Sequence, residues 1–111
     1  MWLYYGIDKN MKVSKKQKEE IKKQIKNLLS HEQEIQKIIV FGSFINSETP
    51  NDIDIAVFQN SNRHYLALSM KYRKLIRELI TTIPYDIIPI QPDAKGIFLE
   101  EIEAGEVIFE R

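Results

Sequence analysis

Residues 38–57, IIVFGSFINSETPNDIDIAV, constrain the fold more than any other stretch of the chain. Ile38, Ile39, Val40 and Phe41 form a short apolar run rich in β-branched side chains, which suits a buried strand. The run stops at Gly42-Ser43, where the backbone can turn sharply. From Asp52 to Val57 the residues alternate, so Ile53, Ile55 and Val57 fall on one face of a second strand while Asp52 and Asp54 leave from the other. Two carboxylates this close repel unless a cation sits between them. A Gly-Ser corner can aim backbone N–H groups at a phosphate, and hard divalent ions such as Mg2+ take oxygen ligands that they share with substrate phosphates. Corner and acid pair together read as a metal–nucleotide site. Taken alone, Asp52 and Asp54 are equally well explained by a strand whose polar side faces water.

Composition narrows the class. The 111 residues carry 16 Lys or Arg, 16 Asp or Glu and no cysteine. A chain of this length is expected to form one domain over residues 1–111, with room for one site. Disulfides and thiolate metal sites are excluded, His31 and His64 lack the spaced partners of a zinc site, and no Ser/His/Asp set stands out. There is no apolar run of membrane-spanning length, and the apolar start at Trp2, Leu3, Tyr4 and Tyr5 lacks the basic lead of a signal peptide, so a soluble cytoplasmic protein is expected. The net charge of zero conceals a gradient. Residues 1–37 hold nine Lys against five acids, residues 38–92 five charges of each sign, and residues 93–111 two basic against six acidic groups. That balance argues against stable nucleic-acid binding and permits a dipolar surface that docks a charged partner.

Along the chain, Ser14 and Gln17 have capping-box spacing, and Ile21, Ile25, Leu28 and Leu29 share a stripe. Together they predict a helix over about 14–30 whose Lys-rich side faces water. Residues 1–13 are open between edge strand and loop, with Trp2, Tyr4 and Tyr5 as cover for the core. A first strand is predicted at 37–41, a turn and loop over 42–51 punctuated by Pro50-Asn51, and a second strand at 52–58. Asn60 or Ser61 can cap a second helix to about residue 80, with Leu68, Tyr72, Leu75 and Leu79 buried and Lys71, Lys74 and Arg77 off that stripe. Pro84 ends it. Residues 85–90 predict a third strand carrying Asp86 among apolar neighbours. Asp93 can cap a third helix to about residue 104, Gly105 suits its C-terminal stop, and Val107, Ile108 and Phe109 finish as an extended tail packed on the domain. The fold class is therefore α+β, a mixed central sheet of three or more strands packed by helices.

Gly42-Ser43, Asp52-x-Asp54 and a lone Asp86 on the next strand together resemble the DNA polymerase β-like nucleotidyltransferase superfamily, in particular its minimal nucleotidyltransferase branch. The resemblance covers residues 36–109 and includes the ending from Glu100 to Phe109, which is similar to the helix-Gly-strand ending of that branch. It implies a small nucleotidyltransferase fold. It also implies that Asp52 and Asp54 bind Mg2+ bridging to a nucleoside triphosphate, that Ser43 and the Gly42 turn hold its phosphates, and that Asp86 completes the metal site and favours loss of the proton from the attacking hydroxyl. Two metals on shared carboxylates can stabilise the attacking and leaving oxygens of an in-line phosphoryl displacement. The implied activity is transfer of AMP from ATP to a hydroxyl of a partner. Small members of the branch are often antitoxins paired with a helical HEPN-domain ribonuclease toxin, some acting by adenylylating a tyrosine, and a homo-oligomer is compatible with so small a domain.

Two features depart from the family pattern. Eight residues separate Ser43 from Asp52, a short loop for the branch. Gly42-Ser43-Phe44-Ile45-Asn46-Ser47 stands where Gly-Ser-Arg-x-Arg-Gly is more common, so the turn offers no arginine to a phosphate. Lys71, Lys74 and Arg77 are the candidates to replace that charge from the second helix. These departures keep open a catalytically inactive antitoxin that acts by binding alone. A small-molecule nucleotidyltransferase of the aminoglycoside type is a further alternative and would need an added acceptor-binding domain.

Overall fold

A computed structural model describes residues 12–79, 81 and 83–111, so the expectation for Trp2, Tyr4 and Tyr5 lies outside the described residues. Helix α1, Lys15–Leu29, starts at the predicted capping box: the Gln17 N–H donates to Ser14 Oγ at 3.1 Å and the Ser14 N–H to Gln17 Oε1 at 2.8 Å. Ile21, Ile25 and Leu29 are buried along it, while Lys15, Lys16, Lys23 and Lys26 face water. Lys22 is the exception on the basic side. Its ammonium is buried between Glu19 and Glu106, 2.9 Å from each.

Strands β1 (Ile35–Phe41), β2 (Ile53–Gln59), β3 (Tyr85–Ile90) and β4 (Glu106–Glu110) form one mixed sheet in the order β3-β2-β1-β4. β1 runs antiparallel to β2 and β4, and β2 runs parallel to β3. The parallel pair requires a crossover, supplied by helix α3, Tyr65–Leu75, and a 3₁₀ turn at Ile76–Glu78. Strand alternation then divides the core into two layers. Ile38, Val40, Ile53, Ile55, Val57 and Ile87 pack on Ile21, Ile25, Leu29, Leu68, Tyr72 and Ile76 of the α1/α3 side. On the opposite face Ile39, Phe41, Ala56, Phe58 and Ile90 meet Ile102 of helix α4, Ile97–Glu103. The α+β class is as the patterning implies. Among the described residues no helix is long and apolar enough to cross a membrane.

Four local expectations change. Helix α3 begins after His64 rather than at Asn60 or Ser61, because the Ser61 N–H donates to Gln59 Oε1 at 2.6 Å and Ser61 Oγ accepts from the Arg63 N–H at 3.0 Å. Its α-helical part stops at Leu75, so Pro84 stands well past the end, and Ile76 and Leu79 extend the buried side. Helix α4 starts next to Gly96, while Asp93 sits in a turn where the Ala94 N–H donates to the Gln91 carbonyl at 3.1 Å. The predicted tail is the full strand β4, pairing Ile38 with Phe109 and Val40 with Glu106. It occupies the free hydrogen-bonding edge of β1, whose backbone groups need partners. Gly105 follows the Ala104 C-cap of α4 as expected, without a left-handed backbone, and it also serves through its size. A Cβ on it would lie 2.5 Å from the Val40 carbonyl oxygen and 2.6 Å from Phe41 Cβ.

Candidate functional site

Where β1 ends, Gly42 adopts φ 79° and ψ −153°, a region open essentially to glycine alone. A second restraint acts on the same residue. Phe41 pairs with Asp54 across the sheet, and a Cβ on Gly42 would lie 2.6 Å from Asp54 Oδ2, so the missing side chain is what lets that carboxylate rest against the corner. The Gly42 carbonyl accepts the N–H groups of Ile45 and Asn46 at 3.0 and 3.2 Å, opening the one-turn helix α2, Ser43–Asn46. Ser43 Oγ accepts the Asn51 N–H at 3.2 Å and lies 3.4 Å from the Asp52 carbonyl oxygen. This hydroxyl thus closes the loop just ahead of the acid pair. Phe44 is fully buried, so the place where an arginine is common in such turns is taken up by core packing.

Asp52 stands immediately before β2, and Asp54 lies two residues on, half-buried, on the α4 side of the sheet with Ala56 and Phe58. Asp86 is exposed on β3 in register with Asp54. Burial, followed by the charges of Asp52, Asp86 and Glu101, holds the Asp54 carboxyl above the usual carboxylate range. Glu101 of α4 therefore belongs to this acid cluster, although its sequence gave no sign of it. It sits among Glu100 and Glu103, and only the burial of Ile102 shows which side of α4 meets the sheet.

The basic groups of α3 also differ from expectation. Lys71 is held 2.7 Å from Glu32 and 2.8 Å from Glu34, away from the corner. Arg73, absent from the expected set, places Nη2 2.7 Å from Asp86 Oδ1. Among the described residues no three carboxylate or imidazole groups converge closely enough to hold a metal ion. The donor chemistry nevertheless fits Mg2+: hard oxygens, with the ionised form of Asp54 disfavoured by burial and neighbouring acids, which a divalent cation would relieve. Among the described residues Asp52 and Asp54 form no ion pair, while Asp86 is engaged by Arg73. Two cavities, of about 600 Å3 beside the start of α1 and about 250 Å3 against α4, are lined by none of the three aspartates.

Residues 23–111 match the family model for polymerase beta, nucleotidyltransferase. The chain belongs to this nucleotidyltransferase family. Its fold is similar to a chain of the tri-AMPylated Shewanella oneidensis HEPN toxin in complex with MNT antitoxin, at 22% identity and a TM-score of 0.63 over 85% of this chain and 73% of that one. It is also similar to a chain of the toxin-antitoxin pair MntA-HepT, at 21% identity and a TM-score of 0.60 over 84% of this chain and 73% of the other. At these identities the likeness is one of fold, and both of these neighbours come from toxin–antitoxin complexes. None of the curated proteins matches the sequence significantly.

Proposed function

We propose that this nucleotidyltransferase works as a single domain over residues 1–111 that moves AMP from ATP onto a hydroxyl of a protein partner, a HEPN-type toxin, and so acts as its antitoxin. The observation that carries this reading is the position of Asp54, half-buried against the Gly42 corner, in register with Asp86 and within the field of Asp52 and Glu101. A structural neighbour solved as an AMPylated HEPN toxin with an MNT antitoxin supports the choice of partner and transferred group.

Asp52 and Asp54 would hold Mg2+, which when bound neutralises phosphate charge and the oxygens that gain charge in the displacement. Ser43 and the Gly42 turn would hold the phosphates, Gly42 by letting the Asp54 carboxylate lie against the corner and Ser43 by fixing the loop that carries Asp52. The acceptor oxygen forms its bond to the α-phosphorus as the bond to pyrophosphate breaks, and the acceptor's proton passes to Asp86. Because Asp86 lies exposed on an edge strand, a hydroxyl on a macromolecule can reach it.

Incubation with ATP, Mg2+ and the product of the adjacent open reading frame tests the proposal by intact mass. The expected result is a gain of one or more AMP units on the partner that Asp52→Ala or Asp54→Ala abolishes. Binding without transfer is the second reading, favoured by Phe44 in the turn and by the unconverged acids. It wins if the complex forms unmodified and survives both substitutions.

A further inference from the structure

The turn at Gly42 has no basic side chain to offer a phosphate: Phe44 is committed to the core, and Asn46 is neutral. Of the basic residues on α3 and the 3₁₀ turn after it, Lys71 is clamped by Glu32 and Glu34, and Lys74 and Arg77 form no ion pair among the described residues. Arg73 alone of these touches the acid cluster, through a single contact of 2.7 Å to Asp86. Both partners are exposed, with 44% of the arginine side chain and 64% of the aspartate side chain open to solvent. Such a pair contributes little to stability and separates readily. A guanidinium has five donors in a planar fork suited to phosphate oxygens, and a single contact leaves most of them available.

Resting on the function proposed above, we infer that Arg73 is a phosphate-binding residue that replaces, from α3, the arginines missing from the turn. Its guanidinium exchanges between Asp86 and the phosphates of a nucleotide. While on Asp86 it competes with a divalent cation for that carboxylate, and on moving to the phosphates it releases Asp86 to the metal and the acceptor. The two halves of this exchange predict effects of opposite sign. Removing Arg73 weakens nucleotide binding and strengthens the binding of a divalent ion offered alone.

Calorimetric titration of the full chain with ATP plus Mg2+, and separately with Mn2+ alone, reads both without requiring turnover. Loss of a charge-assisted hydrogen bond makes ATP binding by Arg73→Ala weaker by roughly tenfold or more. The same variant binds Mn2+ several-fold more tightly, and Arg73→Lys, a point charge without the fork, falls between for ATP. ATP binding by the unaltered chain that Arg73→Ala leaves undiminished overturns the assignment of Arg73 while leaving the proposed function standing. Mn2+ binding that is unchanged or weaker in Arg73→Ala overturns the exchange with Asp86. No ATP binding by the unaltered chain overturns this inference and the proposed function together. Should Arg73→Ala fail to melt like the unaltered chain, Arg73→Gln decides on the same two titrations.

Discussion

Two groups of acids in this molecule meet opposite fates. Before β1, Glu34 Oε2 accepts the Lys71 ammonium at 2.8 Å and the Tyr72 hydroxyl at 3.0 Å, and Glu32 takes the other side of the same lysine at 2.7 Å. Burial opposes ionisation of Glu34, yet the bonds from Lys71, the backbone and Tyr72 together hold its carboxyl below the usual carboxylate range. Bonds to Glu32 and Glu34 raise the Lys71 ammonium in turn, and burial followed by the Glu34 charge pushes the Tyr72 hydroxyl upward. At the Gly42 corner the balance reverses. Asp54 is pushed up by burial and by three neighbouring acids, and the Arg73 contact goes to Asp86. The contrast teaches that this fold pairs its charges where they join α3 to β1 and crowds like charges around Asp54, beside the corner where we propose that a cation and phosphates bind. Charge kept unbalanced at a cost to stability is a mark of a working site.

The largest expected effect lies at the backbone of the unmatched cluster. Gly42→Ala forces a side chain into a conformation that glycine alone adopts easily and against the Asp54 carboxylate, and should lower unfolding stability by about 1–3 kcal/mol in urea. Adding Asp54→Ala should restore part of the loss. Stability within error of the unaltered chain would mean that corner and carboxylate are not in contact.

A middle-sized effect is expected in the matched cluster, where Glu34→Gln should cost about 1 kcal/mol at neutral pH. Because the folded Glu34 titrates below its ordinary 4.5, its contribution is present above that value and lost as pH falls through the lower folded value. The gap between the two proteins should therefore close in acid below pH 4.5. A gap that stays constant with pH would show that packing, not charge, holds Glu34.

The smallest effect has the opposite sign. Asp54→Asn, which disables the proposed transfer, should raise the melting temperature at pH 7 by on the order of 1–3 °C. Asp54 titrates above its ordinary 3.8, so its contribution is present below that value and lost as pH rises through the raised one. The variant's advantage should vanish as the pH is lowered towards 3.8. A variant that melts lower than the unaltered chain at pH 7 would erase the distinction between the clusters.

Much of this was legible in residue order. The Ser14–Gln17 cap, the alternation from Ile53 to Val57, the apolar run into Gly42 and the strand holding Asp86 are each written in residues a few positions apart. The start of α3 is ambiguous for the same local reason, since Ser61 can cap a helix or accept a nearby loop N–H, and the sequence does not choose. The presence of Asp54 and Asp86 on neighbouring strands, with Asp52 just ahead of the first of them, follows from strand period and the parallel crossover.

What the sequence determined by itself is the main elements, α1, β1, β2, α3, β3 and α4, because helix caps, strand period and turn glycines act over one turn or one pleat. The tertiary structure alone decided which distant groups meet. Glu101 reaches the field of Asp54 only once α4 packs on the sheet, Gly105 matters only because β1 passes beside it, and Lys71 is lost to Glu34 while Arg73 finds Asp86. Charge interactions fall with distance in space and not with distance along the chain. Their partners are therefore fixed only when the sheet and its helices close.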